Sequence, residues 1–370
     1  MAGRPSFLES VVSMKDPFAG VFRDKHVLVT GHTGFKGSWL SIWLNELGAK
    51  VIGYALTPEL KKANFVAAKL SNKIVDIRGD IRDFTKLLAV FNKFQPEFVF
   101  HLAAQPLVTR SYLEPRPTYQ TNLLGTVNLL EAVRLTKSVK VIVNVTSDKC
   151  YQNREWVWGY RESDSLGGYD PYSSSKACAE LITTAYRQSF FNPEQIKKHR
   201  VALASARAGN VIGGGDWASD RIIPDCIKAL QQGSTIQIKN PSAVRPWQHV
   251  LEPLSGYLLL AAQLYQQPDR YSEAWNFGPE QSSIITVKEL VEKVINYWGS
   301  GHWKDLSASS KFHETKVLSL DISKATRYLG WKPRLNLDQT IKLTVDWYQQ
   351  ANPTYQFNVE QIETYLAKWD

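Results

Sequence analysis

The segment KHVLVTGHTGFKGSWLSIWLNELG (25–48) sets the tightest limit on what this chain can become. An apolar, β-rich run (25–30) passes through a glycine-spaced turn, GHTGFKG (31–37), into a helical pattern (35–48). Glycines at 31, 34 and 37 remove the side chains that would keep backbone away from a pyrophosphate. Such a group would rest on the unpaired N–H groups that open the helix. The spacing is GxxGxxG rather than GxGxxG, and a plain strand-to-helix turn is the bland alternative.

The alternation continues, with strand patterns at 50–56, 73–80, 96–104, 140–147 and 201–207 and helical ones at 84–94, 118–136 and 172–190. Strands alternating with helices imply a parallel sheet covered on both faces. Continuous apolar runs such as FVF (98–100) and VIV (141–143) fit that burial. The expected fold is α/β: a Rossmann-like doubly wound parallel sheet with a smaller mixed α/β C-terminal substrate-binding lobe. Past residue 207 glycine and proline become frequent (GNVIGGGDW, RIIPD, NPSAVRPW), with helical patterns near 286–298 and 337–350. The expected division is an N-terminal arm (1–22), a dinucleotide-binding domain (23–206, with a return around 246–275) and a lobe (207–245 and 276–370).

Composition narrows the partners. Of the 370 residues 44% are hydrophobic and 21% charged, which describes a soluble, well-cored protein. No apolar run is long enough to span a bilayer, and the start lacks the apolar core of a secretory signal, so no membrane association and a cytoplasmic location are expected. Three cysteines without a CxxC suggest reduced thiols and no metal site. The net charge of +9 is spread along the chain, which argues against nucleic acid and fits an anionic small substrate.

Tyr172 and Lys176 stand four apart in PYSSSKACAEL, on one face of a helix. A lysine ammonium beside a phenol favours phenolate, lowering the tyrosine toward neutrality so that it can take a proton from an alcohol. YxxxK is common by chance; the glycine turn and Ser147 at a strand end give it weight. Together they describe oxidation of an alcohol to a ketone by hydride transfer. In TSDKCY (146–151) an acid and an amine follow that serine. Beside a new ketone the neighbouring C–H is acidic, so Lys149 is a candidate base and Asp148 a proton donor to a departing hydroxyl. On a straight strand Asp148 would oppose Ser147 and Lys149; convergence requires the chain to turn there.

These residues, with HLAAQPLV (101–108), TYQTNLLGTVNLLEA (118–132), RAGNVIGGGDWASDRIIPD (207–225) and SAVRPWQHVLEPLSGYL (242–258), resemble the nucleotide-sugar 4,6-dehydratases of the extended short-chain dehydrogenase/reductase family. The likeness runs from about residue 22 almost to the C-terminus, and is strongest to the enzymes acting on CDP-glucose. It implies CDP-glucose as substrate and NAD as cofactor. The cofactor residues it implies are Gly31, Thr33, Gly34, Phe35, Lys36, Gly37, Asp80, Ile81, Leu102, Ala103, Ala104 and Thr146, with Tyr172 and Lys176. Gln105, Asn210, Arg221 and Arg245 fall in segments that meet the nucleotide sugar, whereas Trp247 and His249 are expected to pack. The second strand ends without the acid that usually holds the adenine ribose, Glu59 being the first, so residues alone leave NAD and NADP open.

Ser147, Asp148 and Lys149 stand where related dTDP-glucose enzymes carry Thr-Asp-Glu. That correspondence makes Asp148 the acid for the C6 hydroxyl and places the C5 base at 149. Lysine there is either a neutral base or a charged stabiliser of the enolate. The helices at 118–136 and 172–190 resemble those that join two subunits in a four-helix bundle, implying a homodimer or a tetramer. The implied product feeds bacterial 3,6-dideoxyhexoses of surface polysaccharide such as the O-antigen of lipopolysaccharide. A nucleotide-sugar 4-epimerase would share Ser147, Tyr172 and Lys176 without needing the Asp-Lys pair. A non-enzymatic nucleotide sensor would need neither Tyr172 nor Lys176.

Overall fold

The apolar runs read above become strands of one seven-stranded sheet. The computed structural model describes residues 14–307 and 318–369. Six of the strands are β1 (His26–Thr30), β2 (Lys50–Ala55), β3 (Val75–Arg78), β4 (Phe98–His101), β5 (Val141–Val145) and β6 (Ala202–Arg207). A seventh, Ala274–Asn276, adds beside β6, giving the order seventh–β6–β5–β4–β1–β2–β3 with every pair parallel. The chain winds one way from β1 to β3 and the other way from β4 onward. The crevice between the C-terminal ends of β1 and β4 is therefore where a ligand of a doubly wound sheet binds.

Both faces are covered, as continuous apolar strands demand. Val27 and Val29 of β1 join a core with Trp39, Leu40 and Trp43 of the helix Phe35–Glu46. Leu28 faces the other core, with Ile142, Leu203 and Leu129. The helical pattern at 118–136 is one continuous helical run, 115–135, with a widened turn inside it. Pro115–Tyr119 leads into a wide turn at Gln120–Leu124 before Gly125–Leu135.

Two expected boundaries need correction. Residues 1–13 of the expected arm lie outside the described residues, but from Met14 onward it is part of the core. Phe18 and Phe22 are buried, and Phe18 meets the rings of Trp43 and Trp369 edge-on at 6.0 and 5.6 Å. Aromatic rings this large gain too much from burial to stay in water. The helix Tyr355–Leu366, expected in the lobe, packs on the helix Phe35–Glu46, with Asn45 donating to the Tyr355 hydroxyl at 2.8 Å.

The lobe is built from three small strand pairs. Val211–Ile212 pairs in parallel with Gln248–His249, Val244–Pro246 antiparallel with Ile284–Thr286, and Ile236–Ile238 in parallel with Trp303–Asp305. The helix Leu251–Gln266 brings the chain back against β5 and β6. Among the described residues no helix is long and apolar enough to cross a membrane.

Candidate active site

The glycine turn is shaped by close approach. Gly31 has φ +75°, and a Cβ there would lie 2.8 Å from the Ala103 nitrogen. A Cβ on Gly37 would fall 2.1 Å from the Gly31 oxygen, so the turn closes only without side chains. Thr33 is tied to the end of β2 through the Leu56 carbonyl at 3.0 Å. At the end of β4 the Leu102 and Ala103 N–H groups both donate to Thr30 Oγ1 at 3.2 Å, and Ala104 follows. Desolvation inside this crevice lowers the Lys36 ammonium to about 7; Arg221 and Lys176 add to the effect and Asp148 opposes it. A backbone cradle with a cation beside it fits the pyrophosphate of a dinucleotide.

Polar rungs join β5 to the helix Pro171–Ser189. Pro171 opens that helix and the Asp170 carboxylate caps it by accepting from the Ser173 N–H at 2.9 Å. Running down the helix and up the strand, Thr183 accepts from Asn144 at 2.7 Å and Glu180 accepts from Thr146. Lys176 donates to the Val145 carbonyl at 3.4 Å, and the Ser147 hydroxyl lies close enough to Tyr172 to favour its phenolate. Tyr172, Lys176 and Glu180 recur every four residues, which puts all three on the buried face.

Beyond Val145 the chain turns at once. Ser147 is extended, its Oγ accepts from the Lys149 N–H at 3.2 Å, and Asp148–Cys150 forms a single tight turn. The Asp148 carboxylate receives the Ser147 hydroxyl at 3.0 Å and lies against Gly209, where a Cβ would come within 1.8 Å of it. Hydroxyl and acid thus share one corner beside Tyr172, and Lys149 follows them on the same tight turn. The expected lowering of the tyrosine is absent in the protein alone: burial pushes Tyr172 up to about 12, against the Ser147 hydrogen bond and the Arg221 charge. Burial also brings Lys176 down to about 8, opposed by Glu180.

Residues 28–344 match the family model described as GDP-mannose 4,6 dehydratase. The chain belongs to that family. The GDP-mannose 4,6-dehydratase family takes in relatives with several nucleotide sugars in their names. The chain is 52% identical over 328 residues to a CDP-glucose 4,6-dehydratase of Salmonella typhimurium, covering 89% of this chain and 91% of the relative. It is 28% identical to a dTDP-glucose 4,6-dehydratase of Streptomyces antibioticus, over 88% and 92% of the two chains. Among solved structures, the dTDP-glucose 4,6-dehydratase DesIV of Streptomyces venezuelae, with NAD bound, superposes with a TM-score of 0.75 at 25% identity. It covers 88% of this chain and 97% of its own.

With the family fixed, the remaining residues divide. Arg221 reaches the crevice, paired with Asp216 at 2.7 Å and with its charge felt at Tyr172. Asn210 takes a left-handed conformation (φ +48°) next to Gly209, and its carbonyl accepts from the Gln248 N–H at 3.3 Å. Arg245 is buried on Val244–Pro246, three residues before Gln248, whose amide bonds the Gly209 carbonyl at 3.1 Å. Trp247 and His249 are packed in the interior. Asp80 is held by the Arg82 guanidinium, and Ile81 is buried against Gly125.

Gln105, expected at the substrate, is hydrogen-bonded within the protein. Its amide bonds Thr118 at 2.9 Å and the Leu107 carbonyl at 3.1 Å, and its oxygen accepts from the Leu107 N–H, so both ends are taken up within its own loop. Sequence reading also missed residues behind the site. Asn122 ties the Gln105 backbone to Ser175 at 2.9 Å. Asp216 holds Arg221, and Glu180 and Arg207 form an ion pair beneath Thr146. Glu180 had one available signal: a charge four residues past Lys176 on the apolar side of the helix.

Proposed function

We propose that the chain dehydrates CDP-glucose to CDP-4-keto-6-deoxyglucose, with NAD held in the β1–β4 crevice. The observation that supports this reading is the tight turn after β5, which has Ser147 and Asp148 beside Tyr172 and carries Lys149 next in the chain. The 52% identity to the Salmonella enzyme supports CDP-glucose as the substrate. Gly31, Thr33, Gly34, Phe35, Lys36 and Gly37 hold the pyrophosphate, Asp80 and Ile81 border the adenine, and Leu102, Ala103, Ala104 and Thr146 line the crevice. NAD bound there would supply reversible hydride transfer, from C4 and back to C6, so the reaction would have no net redox change.

Tyr172 takes the C4 hydroxyl proton while Ser147 holds that oxygen. The Arg221 charge offsets part of the burial that disfavours the phenolate, and Lys176 stands one helical turn on as the second cation. Lys149 removes the C5 proton, made acidic by the new ketone, and Asp148 gives a proton to the C6 hydroxyl as it leaves as water. Lys149 then returns a proton to C5. Asn210, Arg221 and Arg245 hold the diphosphate and sugar; a guanidinium suits two phosphate oxygens at once.

Turnover of CDP-, dTDP-, UDP- and GDP-linked glucose, followed for a 4-keto-6-deoxy product, tests the reaction; no product from CDP-glucose would overturn it. Lys149→Ala abolishes solvent-isotope exchange at C5 of the 4-keto-glucose intermediate if Lys149 is the base. Retained exchange would make Lys149 the charged stabiliser instead.

The partner is a second copy of this chain. Leu124, Leu181 and Ala185 are exposed on the helices Gly125–Leu135 and Pro171–Ser189 and the turn before the first, an apolar face suited to a four-helix bundle. Leu181→Glu is expected to shift size-exclusion elution to the monomer; an unchanged elution would rule this face out. The three cysteines are free thiols, which suits the cytoplasm, and the product class suits 3,6-dideoxyhexose synthesis for surface polysaccharide.

A further inference from the structure

Directly beneath the catalytic turn lies an ion pair sealed from water. Glu180 and Arg207 meet at 2.8 Å with side chains 1% and 4% exposed. A buried pair of this kind gives little net stability, because desolvating both ions offsets their attraction. Every oxygen of Glu180 is occupied: one accepts from Thr146, the other from Ser205 at 2.7 Å and Arg207 at 2.8 Å. Arg207 is fixed in turn by the Tyr151 hydroxyl at 2.7 Å and the Glu162 carbonyl at 3.1 Å. Burial works against the Glu180 carboxylate, but Arg207 and these hydrogen bonds outweigh it and hold its pKa below the usual range.

Lys176 is one helical turn away, and its ammonium makes no hydrogen bond to Glu180 in this arrangement; it donates to the Val145 carbonyl. We propose that Glu180 is a positioning residue for the oxidation step, supplying the counter-charge of the Lys176 ammonium from a distance set by Arg207, Thr146 and Ser205. A carboxylate free to swing would form a contact ion pair and draw the lysine away from Tyr172. Anchored on three donors, Glu180 acts through its field and leaves the ammonium on the Val145 carbonyl, one helical turn from Tyr172.

The groups around Lys176 make Glu180 decisive. Tyr172 lies one turn before it on its own helix, and Lys36 approaches from the glycine turn. His101 faces it from β4 and stays neutral, its pKa pushed to about 3 by burial and then by Lys176 itself. Cys150 approaches from the catalytic turn, and burial holds its thiol protonated. Glu180 is thus the carboxylate that favours the charged lysine, while burial works against it.

The inference rests on the proposed reaction only for the roles of Tyr172 and Lys176. Its test is the titration of Lys176 in the full chain, read from the ¹³Cε resonance and assigned with Lys176→Arg. Glu180→Gln should move that titration about one pH unit lower, the size of one charge removed at this range in partly screened surroundings. Loss of the charged lysine then begins at lower pH, so the basic limb of the kcat/KM profile should fall by the same interval. Ser205→Ala removes a hydrogen bond without removing charge and should leave both where they are. Should Glu180→Gln fail to fold, Glu180→Gln/Arg207→Met replaces the pair with neutral groups and reads the same shift. An unmoved titration in the folded charge-removing variant, or an equal shift in Ser205→Ala, would overturn the proposal. Titration needs no substrate, so a parent inactive on CDP-glucose with a shifted Lys176 would sink the proposed reaction alone.

Discussion

Two arginine–carboxylate pairs flank the reacting groups with the same chemistry and opposite surroundings. Arg207–Glu180, at 2.8 Å, is 4% and 1% exposed; Arg221–Asp216, at 2.7 Å, is 34% and 8% exposed. The sealed arginine is bonded to Glu180, Tyr151 and the Glu162 backbone. The open one holds Asp216 through a single nitrogen and faces Tyr172. An ion pair cut off from water acts from a fixed position, by holding its neighbours and through its field. A pair at the rim of a crevice can exchange a carboxylate for a phosphate at little cost.

The largest way to break this contrast is Arg207→Met. It leaves a buried carboxylate unpaired and is expected to cost about 3–5 kcal/mol in urea unfolding. A loss below about 1 kcal/mol would make the sealed pair no different from an exposed one. Arg221→Met should leave stability within about 1 kcal/mol. It should raise KM for CDP-glucose about tenfold or more, the scale of a lost charge-assisted contact to phosphate. Equal stability losses in the two variants would erase the distinction.

The smallest effect concerns a carboxylate with no arginine side chain bonded to it. Glu252 is buried, accepting from the Arg334 and Leu335 N–H groups at 2.8 and 2.7 Å and from the Tyr365 hydroxyl at 2.8 Å. Burial outweighs those donors and pushes it up to about 7. The folded state then holds this proton more tightly than the unfolded chain does. Its contribution is full at acid pH and is lost as pH rises from the ordinary carboxylate range through about 7. Glu252→Gln should flatten that slope in the urea midpoint measured from pH 5 to 8; an unchanged slope would assign it to other groups.

Much of the sheet was legible because buried parallel strands read as unbroken apolar runs between helical periods. The catalytic corner was legible for a different reason: serine, acid and amine in succession make sense only where a strand ends and the chain turns. The bonds of the Gln105 amide to Thr118 and Leu107 were not legible, because a motif gives a residue's neighbourhood and not its hydrogen-bond partners. Phe18 and the helix Tyr355–Leu366 were misplaced because an apolar stripe says that it will be covered, not by which part of the chain. Tyr172 stayed high because a buried phenol without its cofactor lacks enough positive charge to offset desolvation.

The helix Pro171–Ser189 presents Tyr172, Lys176 and Glu180 inward and Leu181 and Ala185 outward. The two faces are phase-locked. One residue inserted between Lys176 and Glu180 would rotate everything beyond it by about 100°. Leu181 would swing toward the sheet, and Glu180 would leave Thr146 and Arg207. The helix could not slide or turn to suit a neighbour on its outer side without carrying the tyrosine and lysine with it. Register along this one rod therefore sets the outward apolar face and the inward polar face together, and neither can drift alone.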